Sequence, residues 1–248
     1  MTRESWFRRI VSRQAAYWRV EAFARLGIRA VFFLRTGGVS RDAFSGLNLG
    51  YSTMDSPECV RANRELALAA ANLGPWAPVC GRQVHGTGIR RVNEGDAARG
   101  WLDWGEAFAD TDGFMTDVPG LPLAVSVADC LPVLLADEQA RAVAALHAGW
   151  RGVAAGIVPK AFGEFREHYQ VNPDRIYAAL GPCIGPDRFI IQDDALRQLQ
   201  AVDPGAIREL PDERIGFDLW HAVCTQLRQN GVNMDKVQAL RESTASHP

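Results

Sequence analysis

A single α/β domain built on a mixed sheet is what this sequence predicts, and three observations predict it. Short apolar runs at 30–34, 132–136 and 142–146 have the length and the Val, Leu and Phe content of buried strands. Stretches at 56–74 and 218–231 carry the start and stop signals of helices. No internal repeat and no linker rich in Gly, Ser or Pro divides the 248 residues.

The elements follow in chain order. In residues 1–14, Trp6 stands over Ile10 and Phe7 over Val11 at i,i+4 spacing, with Arg3, Arg8, Arg9 and Arg13 between them. That pattern predicts an amphipathic helix docked on the domain. Ala30–Leu34 reads as a strand ended by Gly37-Gly38. Ser56 caps a helix, Pro57 takes its first position, and Gly74 ends it. Leu121–Val127 and Pro132–Ala136 read as strand segments around an Ala-Asp-Cys kink, and Ala142–Leu146 is a further strand that delivers His147 to its end. The helix from about Gly152 to Tyr169 contains Pro159, where a kink or break is expected. Arg175–Leu180 is a strand closed by Gly181-Pro182-Cys183-Ile184-Gly185. Asp218 caps a last helix, with Gly231 just past its end.

Composition excludes several classes. The apolar fraction of 47% and charged fraction of 23% are those of a globular protein with a sizeable core. A formal net charge of −2 gives no basic excess for nucleic acid. The five cysteines, Cys59, Cys80, Cys130, Cys183 and Cys224, are odd in number, widely spaced and without a CxxC. That pattern argues for a reducing compartment, and with no signal-peptide pattern at the N-terminus a cytoplasmic location is expected. The most apolar stretch, Leu121–Ala136, is too short and too polar to span a bilayer. No dinucleotide, P-loop, GxSxG or HExxH signature occurs.

Chemistry concentrates in three segments: Gln83-Val84-His85-Gly86, Ala128-Asp129-Cys130-Leu131-Pro132, and His147-Ala148-Gly149-Trp150-Arg151-Gly152. Two imidazoles and a thiolate from His85, Cys130 and His147 suit Zn²⁺ and leave one tetrahedral position open. Read singly, each has a plainer explanation, since a buried Cys is a small hydrophobe and a lone His a hydrogen-bonded structural residue. His168, His221 and His247 read as structural or exposed. Gly149-Trp150-Arg151-Gly152 opens a helix, whose first N–H groups attract anions, and Arg151 offers a bidentate contact. Arg35, at a strand end beside Gly37-Gly38, is a second anion candidate. Local ion pairs explain both arginines equally well.

These segments, with RTGGVS (35–40), GLNLG (46–50), ANRELA (62–67), ADTDGFMTD (109–117) and GPCIG (181–185), resemble in order the multicopper polyphenol oxidoreductase (laccase) domain family. That family is also called peptidoglycan editing factor and purine nucleoside phosphorylase. The resemblance implies a mixed α/β/β/α sandwich similar to cysteine-dependent toxin deamidases. It implies a metal held by His85, Cys130 and His147, usually zinc, with copper as the alternative. Arg35, Asn48, Gln83 and Asp129 match residues that line the family's pocket. The implied activity is phosphorolysis of adenosine, inosine and methylthioadenosine, with adenosine deamination alongside. Arg35 and Arg151 would hold the phosphate, and Asp129 would move a proton or orient Cys130. The implied partners are a small nucleoside and phosphate, acting on a monomer or weak homodimer. Family members continue into a Phe-Ser-Tyr-Arg-Arg stretch and a glycine-arginine motif that would start just after Ser243 to Pro248 of this sequence, and Ser243 replaces a Cys. The usual C-terminal strand is therefore expected to be missing, and residues 1–27 to be an N-terminal extension on one domain.

Three other functions compete. A polyphenol oxidase with several coppers needs more histidine ligands than five histidines supply, so only a single-copper oxidase remains. An amide hydrolase would use Cys130 as nucleophile and His147 as base. A peptidoglycan-editing module without strong catalysis is the third.

Overall fold

The computed structural model describes residues 6–211 and 213–246. In chain order the elements are β1 (Phe7–Val11), β2 (Ala15–Val20), α1 (Glu21–Ala24), β3 (Val31–Gly37), α2 (Pro57–Ala71), β4 (Ile89–Arg91), β5 (Gly113–Thr116), β6 (Leu131–Asp137), β7 (Val143–Ala148), α3 (Trp150–Ala154), α4 (Ile157–Tyr169), β8 (Ile176–Leu180), α5 (Asp193–Val202), β9 (Ile207–Glu209), β10 (Ile215–Phe217), α6 (Leu219–Gln229) and β11 (Val237–Ala239).

The central sheet has the order β11-β8-β6-β7-β5-β4, antiparallel in its middle and parallel at both outer pairs. Both of its faces are covered, which is why β6 reads as an unbroken apolar run. Val133, Leu135 and Leu146 point into a core with Val153, Phe162, Phe165 and Leu227 from the helices. Leu134, Ala136 and Val143 point the other way, onto Trp6, Phe7 and Phe32 of the β1-β2-β3 layer and Phe23 of α1. Each fully buried phenylalanine contributes about 1.5–3 kcal/mol of transfer free energy. Helix α2 lies outside the three-stranded sheet, where the Tyr17 hydroxyl donates to the Ala70 carbonyl at 3.1 Å. The layers are thus α/β/β/α, as expected.

Local signals place several helix ends correctly. Ser56 Oγ accepts the Cys59 N–H, and Asp218 accepts the His221 N–H at 2.9 Å. The end of α2 differs from the expected stop at Gly74: the helix stops at Ala71, because Asn72 takes the left-handed conformation (φ 47°).

Four expectations are corrected. Residues 7–11 form a strand, not a docked helix: β1 pairs antiparallel with β2 through the Ser12–Gln14 turn, and β2 continues onto β3. The i,i+4 pairs were a by-product of an apolar cluster, for Trp6 and Phe7 pack on Tyr177 and Phe32. Residues 1–5 lie outside the described residues, but the rest of the expected extension supplies two strands. Leu121–Val127 is not a strand, since only Leu123 forms a bridge, to Val79. The helix after His147 breaks at Gly156 (φ 85°), not at Pro159. Pro159 is the third residue of α4, where a missing N–H costs no helical bond. Finally, β7 runs to Ala148, two residues past the expected Leu146, and His147 is its penultimate residue.

Candidate metal centre

Strand register brings the donors together. Leu131 of β6 pairs with Ala148 of β7, so Cys130, one residue earlier, lies beside the end of β7. Gly113 of β5 pairs with Leu146, so Asp112 flanks His147, whose N–H donates to the Asp112 carbonyl at 2.7 Å. The Asp112 carboxylate is fully buried and accepts His147 Nδ1–H at 2.8 Å. The same carboxylate accepts the N–H groups of Val84, His85 and Gly86 at 3.2, 2.9 and 2.9 Å. It therefore holds both histidines at once, and it holds His85 at φ 60°, a left-handed conformation that non-glycine residues rarely adopt.

The ligand atoms of His85, Cys130 and His147 all lie within 4.8 Å of one another. The two imidazole centroids are 4.8 Å apart, with their planes at 76°. His147 is buried, Cys130 half-buried and His85 exposed. Two imidazole nitrogens and a thiolate are a donor set that suits a tetrahedral zinc ion and leaves one position open. The donor types fit, and so does the hydrogen bond from His147 Nδ1, which leaves Nε2 for a ligand bond. Gly149 makes the room: a Cβ there would sit 2.9 Å from His85 Cδ2 and 3.0 Å from Cys130 Sγ.

Electrostatics follow the same geometry. Burial pushes the Cys130 thiol up to about 11, with Asp129 and Asp112 adding to it. Burial lowers the His85 pKa, as do His147 and Arg151, against the pull of Asp112, so its ring stays neutral and able to ligate. Burial raises the Asp112 carboxyl, but the bonds from His147, Gly86 and Val84 outweigh it and the group stays ionised.

The other expected site residues divide into two places. Arg35, Asn48 and Asp129 line a cleft of about 1280 Å³ between the two sheets, whereas the three donors, Gln83 and Arg151 are not in its wall. The cleft and the metal centre meet at the Asp129-Cys130 peptide. Asp129 Oδ1 accepts the Thr244 hydroxyl at 2.6 Å, and its carbonyl accepts the Ile184 N–H at 2.9 Å. Arg35 donates Nε to the Ser45 carbonyl at 2.8 Å, and no hydrogen bond within the described residues engages its two terminal nitrogens. The Asn48 amide is held inside its own loop, donating to Thr53 and Asp55 and accepting from Gly50. Gln83 pairs with the Ser126 backbone, and the Arg151 guanidinium lies 4.3 Å from the Trp150 ring centroid. His168 pairs with Glu164 at 3.2 Å, His221 lies 3.6 Å from Asp203, and His247 falls outside the described residues.

Sequence reasoning missed Asp112, although an Asp-Gly pair just before an apolar strand was a usable signal. It also missed Asn63 of α2, which is fully buried. Asn63 accepts the Val39 N–H at 2.7 Å and donates to Ser40 Oγ and the Asn48 carbonyl, both at 2.9 Å.

Residues 29–248 match the family model described as multi-copper polyphenol oxidoreductase laccase. The chain belongs to this family. A relative in it, the purine nucleoside phosphorylase YlmD of Geobacillus stearothermophilus, is 35% identical over 243 residues, 95% of this chain and 88% of that one. The purine nucleoside phosphorylase YfiH of Escherichia coli is 38% identical over 182 residues, 73% of this chain and 68% of that one. The crystal structure of YlmD from G. stearothermophilus superposes with a TM-score of 0.90 at 29% identity, over 98% of this chain and 90% of that one. The family and the His-Cys-His cluster together point to a metal ion. Among the described residues that cluster is the one group with metal-ligand spacing, so the name multi-copper is not matched by a multi-copper donor set. Among them too, no helix is long and apolar enough to cross a membrane.

Proposed function

We propose that this laccase-family chain is a metal-dependent purine nucleoside phosphorylase acting on adenosine, inosine and methylthioadenosine, with adenosine deamination as a companion activity. The carrying observation is the three-donor cluster with an ordered buried carboxylate behind it, set beside a cleft lined by Arg35 and Asp129. Relatives named purine nucleoside phosphorylase support the same reading.

In this reading a phosphate oxygen attacks the ribose C1′, the bond from C1′ to the purine nitrogen breaks, and the base leaves with the electron pair and takes up a proton. His85, Cys130 and His147 hold the ion, which when bound supplies Lewis acidity at the cleft's edge. The free fork of Arg35 attracts and orients the phosphate, while Arg151, expected beside it, lies outside the cleft wall against the Trp150 ring. Asp129, exposed and fixed by Thr244, is placed to pass a proton at its free oxygen. Orientation of two substrates in one cleft removes much of the entropic part of the barrier.

The test is incubation of the zinc-loaded chain with inosine or adenosine, with and without phosphate, followed by chromatography. Phosphate-dependent release of hypoxanthine or adenine with ribose 1-phosphate is expected. Absence of base release from a fully zinc-loaded chain would sink the proposal.

A second reading has one observation in its favour. Asp112, His147 and Cys130 also stand in the order of a carboxylate–imidazole–thiol relay. The raised Cys130 thiol weighs against it. Rapid alkylation of Cys130 in metal-stripped protein near neutral pH is the outcome that favours this hydrolase.

A further inference from the structure

The segment leading into Cys130 has little backbone support. Leu123 bridges Val79, and the Ala124 N–H donates to the Val79 carbonyl at 2.9 Å. Past that point no backbone hydrogen bond joins the two segments among the described residues. Among the described residues, the next groups on this segment with protein partners are the N–H and C=O of Ser126, and both bond to one side chain. The Gln83 amide donates to the Ser126 carbonyl at 2.7 Å and accepts the Ser126 N–H at 2.7 Å. A primary amide thereby replaces the missing strand and makes the paired N–H and C=O contacts that a peptide would make across a ladder.

Position gives this clasp its meaning. Gln83 lies two residues before His85, and Ser126 lies four before Cys130. The Gln83 backbone is itself anchored, because Arg82 N–H donates to the Phe108 carbonyl and Thr111 N–H to the Arg82 carbonyl. His85 in turn is pinned by Asp112, which is tied to β5 and β7. Cys130 is tied to β6 on its C-terminal side alone, so its approach from residues 125–129 depends on the clasp and on the bonds of Asp129 to the Ile184 N–H and the Thr244 hydroxyl.

We propose that Gln83 is a positioning residue for the metal centre, setting the separation of Cys130 from His85. The proposal rests on the metal reading above. One N–H and one oxygen lone pair of the amide go to Ser126, which fixes the plane of the amide against that peptide. Groups that orient metal ligands change affinity by about 10- to 100-fold when removed.

The experiment uses the full chain, Gln83→Met, which keeps side-chain length and removes both bonds, and Gln83→Glu, which keeps the acceptor and loses the donor. Zinc affinity is read by competition with a chelating dye. The thiolate-to-metal absorption of the Co²⁺-substituted protein reports Cys130 geometry, and thermal melting checks the fold. Zinc affinity about ten-fold weaker in Q83M, a smaller loss in Q83E, and a shifted or weakened Co²⁺–thiolate band at an unchanged melting temperature support the assignment. Unchanged zinc affinity and an identical Co²⁺ spectrum overturn it, and a rise in nucleoside KM under those conditions assigns Gln83 to substrate instead. If Q83M does not fold, Q83E decides by the same two readings. A wild-type chain that retains neither metal sinks the metal reading itself, a failure visible before any variant is made.

Discussion

The metal centre and the cleft loops are built by different means. Around the metal centre, strand register sets positions: β5, β6 and β7 place Asp112, Cys130 and His147 as neighbours through a continuous ladder. Around the cleft, residues 35–55 have one bridge of their own, between Ser40 and Gly46. Their shape comes from side chains, with Asn63 gripping Val39, Ser40 and Asn48 from below, and Asp55 accepting from Ser40 at 2.6 Å and Asn48 at 2.8 Å. A ladder shares its load over many backbone bonds, whereas a side-chain hub concentrates it in one residue. His147 is thus held in the ladder, Cys130 by it on one side, and His85 by the buried Asp112 carboxylate, whereas the groups facing a variable substrate hang on contacts that one substitution can loosen.

Substitutions test that difference, beginning with the largest effect. His147→Ala removes a donor and the partner of Asp112. Metal retention, measured by elemental mass spectrometry on the purified chain, should vanish, and nucleoside turnover should fall at least about 1000-fold, roughly 4 kcal/mol of barrier. Retained turnover in a metal-free H147A chain is incompatible with the proposed function. Asp112→Ala leaves three backbone N–H groups and His147 without their buried partner. Denaturant unfolding should show a loss of about 3–5 kcal/mol, and zinc affinity should drop about 10- to 100-fold.

Gly149→Ala puts a methyl group among the donors, 2.9 Å from His85 and 3.0 Å from Cys130. A stability loss of about 1–3 kcal/mol is expected from overpacking, with weaker zinc binding in the dye competition. Asn63→Ala is the sharpest probe of the contrast. It should cost about 2–3 kcal/mol and raise KM for phosphate or nucleoside several-fold, while metal content stays at the wild-type level. Loss of metal in N63A would show that the two regions are not independent.

Much of this was legible along the chain. Ser56, Pro57 and Asp218 marked helix starts because capping uses residues adjacent in sequence. The apolar runs of β3, β6, β7 and β8 marked strands because a sheet covered on both faces needs side chains that are apolar throughout. His85, Cys130 and His147 were marked by their chemistry. The strand nature of residues 7–11 was not legible, because a five-residue run with Trp6, Phe7 and Ile10 satisfies helical and extended periods alike until β2 lies beside it. The loop nature of Leu121–Val127 was hidden for the converse reason: its residues suit a strand, but no partner strand runs alongside.

By itself the sequence determined which side chains this protein owns, where its helices begin, and which runs must be buried, since those depend on near neighbours and on solubility in water. Only the tertiary structure decided that one carboxylate, Asp112, orders two histidines 62 residues apart in number, and that the cleft and the metal centre meet at a single peptide. The physical reason is register. A hydrogen-bonded ladder converts distance along the chain into distance in space, and a shift of one residue would turn these side chains to the opposite face.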